Sequence, residues 1–168
     1  TSYDALGRAV AKETPPVQTA NAGAVAHITY SSYNGLNQVT AQGDFLPSAD
    51  GSTRTQQAQQ TYVLDTQGNR LQVTDALGYT SYYTYDSQGR VLTSQTPLQH
   101  AAGKSETFTY DVNGNKTGDT TADGDHQSWV YDYFGRVQSH VDLSGATTTY
   151  NYDASSGLLT SINSNWIP

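Results

Sequence analysis

The chain has 168 residues, a formal net charge of −7, 35% apolar residues, and neither cysteine nor methionine. Lack of cysteine excludes a disulfide framework and any thiolate ligand or nucleophile, and leaves the redox compartment open. Eight Lys plus Arg against 15 Asp plus Glu argues against a nucleic-acid or anionic-membrane partner, because phosphate binding needs a clustered basic surface.

No apolar run is long enough for a membrane-spanning helix, and no basic region followed by an apolar stretch marks a signal peptide. A Met-free chain beginning at Thr1 is expected to be processed or cut from something longer. Strong helix formers are scarce, whereas Tyr occurs 13 times and Gly 15 times. Thr, Tyr and Val favour pleated surfaces, and Gly and Asp favour turns. Aromatic content of 11% is too high for a disordered chain.

In chain order, a first turn unit stands at Tyr3-Asp4-Ala5-Leu6-Gly7-Arg8. The stretch of about residues 14–25, with Pro15-Pro16 and small residues to Ala24, reads as a loop extension. A degenerate unit follows at Tyr33-Asn34-Gly35-Leu36-Asn37-Gln38-Val39. A second extension is expected over about 47–60, where Gln56 to Gln60 has the composition of a helical turn without an apolar face to dock. The unit then recurs at Tyr62–Gly68, Tyr83–Val91, Phe108–Asn115, Trp129–Val137 and Tyr150–Asp153 with Gly157, and a third insertion is expected at 97–105. The anchors are thus residues 4, 34, 65, 86, 111, 132 and 153, and the last five stand 21, 25, 21 and 21 apart.

Asp-x-x-Gly occurs seven times, at Asp4, Asp65, Asp75, Asp86, Asp111, Asp132 and Asp142. Asp at the first turn position accepts backbone N–H groups, and Gly three places later takes the left-handed conformation that closes a three-residue hairpin. Asp75, Asp123-Gly124 and Asp142 supply the second turn of their repeats. Between turns run six or seven residues, enough for strands of roughly 20 Å. The expected fold is all-β: an antiparallel meander of repeated hairpins, one segment over 1–168, free to stay open or to curl. Aromatics at i and i+2, such as Tyr83 with Tyr85 and Trp129 with Tyr131, share a strand face. A three-residue hairpin sets Asp86 opposite Arg90 and Asp132 opposite Arg136. The units at Asp65 and Asp111 do not fit cleanly, because Arg70 and Lys116 fall one place late.

The recurring unit Tyr-x-Tyr-Asp-x-x-Gly-Arg-hydrophobic, matched best by Tyr83 to Leu92, Trp129 to Val137 and Tyr3 to Arg8, resembles the RHS, or YD-repeat, family, and the resemblance covers almost the whole chain. That resemblance implies a long antiparallel ribbon coiled into a hollow shell, as in Tc-toxin B and C components, RHS effectors and teneurin-like surface proteins. In the bacterial toxins the shell encloses a C-terminal toxic domain, and several members release it by self-cleavage in an Asp-Pro-rich region. This chain has no Asp-Pro, and Asn163–Pro168 does not resemble that region, so no protease residues carry over.

The expected function is therefore a non-catalytic wall segment of a secreted or cell-surface bacterial protein. Its partners would be the rest of the parent shell and an enclosed toxin or effector domain. A cut ribbon also leaves two sheet edges, so self-association through end strands is expected. The alternative is a carbohydrate-binding or adhesive module, with exposed tyrosines such as Tyr79 or Tyr133 as its contacts. The Tyr-Asp pairs themselves read as turn caps and a structural aromatic ladder.

No cofactor, metal or catalytic residue is assigned. Asp111-Val112-Asn113-Gly114-Asn115 and Asp119 to Asp125 look superficially like calcium loops, but the sixth place is Lys116 and the twelfth Ala122. His27, His100, His126 and His140 share no motif. Asp125-His126 with Ser128 has triad residue types without triad spacing evidence. Glu13 and Glu106 lie singly in polar stretches, and no nucleotide-binding sequence is present.

Overall fold

The computed structural model describes residues 1–14, 17–19, 22–25, 28–47 and 54–165. Strand order follows chain order throughout a 14-stranded antiparallel sheet, and a separate two-stranded hairpin stands apart from it. Contacts divide the chain into two compact units, Thr1–Tyr82 and Tyr83–Pro168.

The first unit contains β1 (Ser2–Tyr3), β2 (Ala9–Glu13), the isolated pair β3 (Val17–Thr19) and β4 (Ala22–Val25), then β5 (Ile28–Tyr33), β6 (Val39–Pro47), β7 (Arg54–Leu64) and β8 (Arg70–Asp75). Strand β9 (Thr80–Tyr85) spans the division. Two of the expected loops are corrected here. The 14–25 stretch carries the hairpin β3–β4, although Pro15-Pro16 and Ala20 lie outside the described residues. Gln56 to Gln60 is neither loop nor helical turn but part of the eleven-residue β7. It pairs with β6 from Ala41↔Thr61 to Pro47↔Arg54, and residues 48–53 lie outside the described part. Backbone pairing with β6 decides its state. A polar stretch with no apolar alternation carries no local mark of that pairing.

A bulge lies between Gln42 and Gly43 of β6. Gly43 is needed there, since a Cβ would come within 2.8 Å of the Tyr30 ring and closer still to the Gln57 carbonyl. Tyr30 is buried and meets Phe45 edge-on at 5.5 Å. Tyr62 is also buried; its hydroxyl bonds Gln60 Oε1 at 2.7 Å and Gln42 Oε1 at 3.1 Å.

The second unit continues with β10 (Val91–Gln95), α1 (Pro97–Ala101), β11 (Glu106–Tyr110), β12 (Lys116–Thr120), β13 (His126–Tyr131), β14 (Val137–Val141), β15 (Thr147–Tyr152) and β16 (Leu159–Asn165). The 97–105 insertion is thus a helical turn rather than plain loop. Thr96 caps it, accepting from Gln99 N–H, while Gln99 Oε1 accepts from Thr96 N–H at 2.7 Å. Pro97 suits the first helical position, where no N–H is required.

Register sorts the side chains of this unit onto two faces. Phe108, Asp119 and Gln127 stand in one row, and Trp129, His140, Thr148 and Ser164 in the next. The opposite face carries Thr109, Gly118, Ser128, Val141 and Thr147. One face is aromatic, the other small and hydroxylic.

Little of this is enclosed. Tyr30, Tyr62 and Ala146 are the buried hydrophobic residues among those described. Within each unit the strands form one layer, so stability falls on pairing, turns and contacts along the sheet.

Candidate functional site

The repeated feature is a clasp built on each Tyr-Asp hairpin. In the Asp86 turn, Asp86 N–H donates to Arg90 O at 2.9 Å, and Gly89 N–H donates to Asp86 O at 3.1 Å. Asp86 Oδ1 accepts from Gln88 and Arg90 N–H, while Oδ2 accepts from Arg90 Nε at 2.6 Å. Asp4 with Arg8 and Asp132 with Arg136 repeat these bonds at 2.5 and 2.7 Å. The turn glycines take positive φ, for example +78° at Gly89 and +77° at Gly135.

Each arginine then reaches forward. Arg8 Nη1 bonds Asn34 O at 2.9 Å, Arg90 Nη1 bonds Asp111 O at 3.0 Å, and Arg136 Nη1 bonds Gly157 O at 2.9 Å. The tyrosine of the next repeat reaches back. The hydroxyls of Tyr33, Tyr110 and Tyr152 donate to Ala9 O, Val91 O and Val137 O at 3.0, 2.9 and 2.9 Å. The guanidinium groups lie over the same rings, at 4.9, 4.8 and 4.2 Å from their centroids. Consecutive hairpins are therefore tied in both directions, by charge-assisted bonds one way and phenol bonds the other.

The apparent slip at Asp65 and Asp111 disappears in three dimensions. Asn69 and Asn115 occupy the arginine position and donate to their aspartate Oδ2 at 2.8 and 2.9 Å. Register is preserved: Leu64 faces Arg70 and Tyr110 faces Lys116, as Tyr131 faces Val137. Arg70 and Lys116 therefore stand at the hydrophobic position, where they cover Tyr62 at 4.0 Å and Trp129 at 4.5 Å. An asparagine is too short to reach the next hairpin. After Asp111 only the return bond remains, from Tyr131 OH to Lys116 O at 2.8 Å.

The degenerate unit keeps the clasp with substitutes. Asn34 replaces the aspartate, and Asn37, at φ +64°, replaces the turn glycine. Gln38 stands for the arginine and reaches Asp65 O at 3.2 Å. The second turn at 121–125 is also refined: Thr121, not Asp123, holds the first position, with Gly124 N–H donating to Thr121 O at 3.0 Å.

Backbone N–H of Arg8 and of Arg90 is the main cause that holds Asp4 and Asp86 below the ordinary carboxylate range. The Asn69 and Asn115 amides do so for Asp65 and Asp111, and the Ser144 hydroxyl for Asp142. At Asp132 desolvation pushes upward as the largest single influence, and the Arg136 bonds together outweigh it. The Ser155 and Ser156 hydroxyls and amides lower Asp153 furthest. These carboxylates are anionic turn caps, each with Oδ1 accepting from its own turn.

The residues weighed from sequence fall elsewhere. His126 Nδ1 lies 3.0 Å from Thr120 Oγ1, its partner in the sheet, and Ser128 pairs across to Gly118 and Val141. His100 bonds Gln95 on the helical turn, and His27 lies outside the described residues. Asp123 pairs with Lys104 at 2.6 Å. Among the described residues no three His, Asp or Glu side chains converge as a metal site.

One cluster went unseen in the sequence. Lys116 bonds Asp119 at 2.7 Å, and Gln127 bonds Asp119 at 3.0 Å and His140 at 3.3 Å. His140 stacks on Trp129 at 4.9 Å and 13°. With Lys116 over Trp129, the ring of contacts closes on the aromatic face. The alignment of Asp119, Gln127, Trp129 and His140 follows from register across three strands, which no local motif encodes.

A sheet of antiparallel hairpins tied by Asp–Arg–Tyr clasps defines an all-β repeat architecture. Residues 65–100 match the RHS Repeat family model. No curated protein matches it. Among solved structures it is similar to a chain of the Photorhabdus luminescens Tc holotoxin pore with a TccC3 mutation, at 15% identity and a TM-score of 0.50. That match covers 97% of this chain and 11% of the other. The TcdB2–TccC3–Cdc42 crystal structure is similar at 15% identity and a TM-score of 0.50, covering 98% and 11%. At that identity the likeness is one of fold, and this chain spans about a ninth of the length of those chains. Among the described residues no helix is long and apolar enough to cross a membrane.

Proposed function

We propose that the chain is a non-catalytic wall segment of an RHS-repeat shell, part of a large secreted bacterial protein that encloses a toxin or effector domain. The reciprocal clasp carries this reading. Arg90 to Asp111 O and Tyr110 OH to Val91 O bind one hairpin to the next without any ligand. A wall must resist opening between strands, and ties in both directions supply that resistance at each repeat where arginine is kept. The likeness in fold to Tc-toxin chains supports the same reading. Its partners are the remaining repeats of the parent protein and the enclosed domain.

The test uses the parent protein, with its downstream domain present. Protease protection of that domain is measured in the parent and in an Arg90→Ala, Arg136→Ala variant. Protection in the parent and faster cleavage in the variant are expected. Equal cleavage of the domain in the parent and as an isolated fragment would refute enclosure. Turnover by this chain on hydrolase substrates, lost on His126→Ala, would refute the non-catalytic role.

A further inference from the structure

Hairpin tips need no aromatic residues. The Ser87-Gln88 and Thr66-Gln67 tips make the same turn bonds as Tyr133-Phe134, with Asp86 and Asp132 N–H both donating at 2.9 Å to the arginine carbonyl. Yet Tyr133 is 94% and Phe134 76% exposed. Their rings touch each other edge-on at 5.5 Å and 84°, and Arg136 lies 5.2 Å from the Phe134 centroid. Burial of such rings stabilises a fold, and this fold gains almost none of that from Tyr133 and Phe134. Neither turn geometry nor wall packing accounts for them.

Both rings line a groove on each side of the tip. One groove, of about 520 Å³, runs to the Asp153 turn and includes Gln138, Tyr152, Ser155 and Ser156. The other, of about 380 Å³, runs to the Asp111 turn and includes Asn113 and Asn115. These volumes fall in the range of small-ligand sites. Gln138 is exposed, and its amide makes no bond among the described residues. The Ser155 and Ser156 hydroxyls donate to Asp153, and Ser156 Oγ also accepts from Leu158 N–H at 3.4 Å, which leaves the Ser155 oxygen as an acceptor at the groove. The charges present are already matched, since Arg136 and Asp132 pair at 2.6 Å.

We propose that the Tyr133–Phe134 tip and its flanking grooves bind a neutral saccharide chain. Sugar rings combine apolar C–H faces with hydroxyls, which suits aromatic rings flanked by uncharged amides and hydroxyls. An anionic ligand would find no unpaired cation here, since Arg136 is held by Asp132. A protein partner is less well served, because a standard interface covers about 800 Å² per side. Of the neighbouring turns, Val112 and Leu158 add single large exposed apolar side chains, while Ser87-Gln88 and Ser155-Ser156 are polar. The site does not depend on the wall reading, and each can fail without the other.

The test is titration of the 168-residue chain with maltotriose, cellotriose and triacetylchitotriose, followed by amide NMR. At least one sugar should shift the amides of Tyr133, Phe134, Gln138 and Ser155 and leave those of Ser87 and Gln88 in place. Replacing Tyr133→Ser and Phe134→Gln together reproduces the Ser87-Gln88 tip, so the hairpin keeps a proven turn sequence. This variant should bind at least about tenfold more weakly. No shift with any of the three sugars at about 10 mM would overturn the proposal, as would undiminished binding by the variant. Shifts at the same amides that depend on protein concentration alone would assign the tip to self-association and also overturn it.

Discussion

Replacing Tyr110→Phe removes one half of one clasp and nothing else. The ring stays beneath Arg90, 4.8 Å from the guanidinium carbon, while the hydroxyl that donates to Val91 O at 2.9 Å is lost. Tyr110 is half-buried, so water replaces the bond only in part. The expected loss is about 1 kcal/mol, the usual net value of such a bond. For a chain that melts as one cooperative body of this size, 1 kcal/mol lowers Tm by about 2–4 °C. If the unit from Tyr83 onward melts by itself, the same loss lowers its Tm by about 4–8 °C. The control is Tyr150→Phe: Tyr150 is also half-buried, but its hydroxyl has no partner among the described residues. Thermal denaturation of the three proteins by circular dichroism reads the difference. A Tyr110→Phe protein melting with its Tyr150→Phe control would refute the claim that phenol bonds hold neighbouring repeats together.

Three further outcomes are expected. Asp4, Asp65, Asp86, Asp111, Asp132, Asp142 and Asp153 all have lowered folded-state pKa values. Their stabilisation is therefore complete above the unfolded value of about 4 and is lost as pH falls below it; a Tm unchanged between about pH 5 and pH 2 would contradict this. Gly43→Ala should destabilise by about 1–3 kcal/mol in a denaturant titration, because backbone and the Tyr30 ring block the new methyl. Gly35→Ala, with nothing within 4 Å, should fall well short of that cost, and equal effects would refute the steric argument. All seven residues of β16 are exposed, with no charge or proline among them, and β15 is its one strand neighbour in the sheet. Light scattering should show concentration-dependent association that Ile162→Lys reduces, since an edge charge opposes pairing; a strict monomer at high concentration would count against it.

Local chemistry made much of this protein legible from sequence. An Asp-x-x-Gly turn is decided within five residues, by acceptor sites on one carboxylate and the backbone freedom of one glycine, so seven turns and the all-β class follow directly. The pairing of Asp132 with Arg136 is equally local. What spans repeats was not legible. That Arg90 reaches Asp111 O, 21 residues on, requires two hairpins to lie side by side. Asn115 in the arginine position and Lys116 above Trp129 look like a slipped register until Trp129 is brought alongside from the next strand. Gln56 to Gln60 becomes strand because β6 offers it a free edge, and Asn37 rather than Gly35 takes the left-handed place because the Asn34 cap counts from its own position. Composition and net charge excluded disulfides and marked the chain as β-rich, and spacing alone located its turns. Tertiary structure decided how those turns hold one another, because the bonds that join repeats run between backbone atoms distant in sequence.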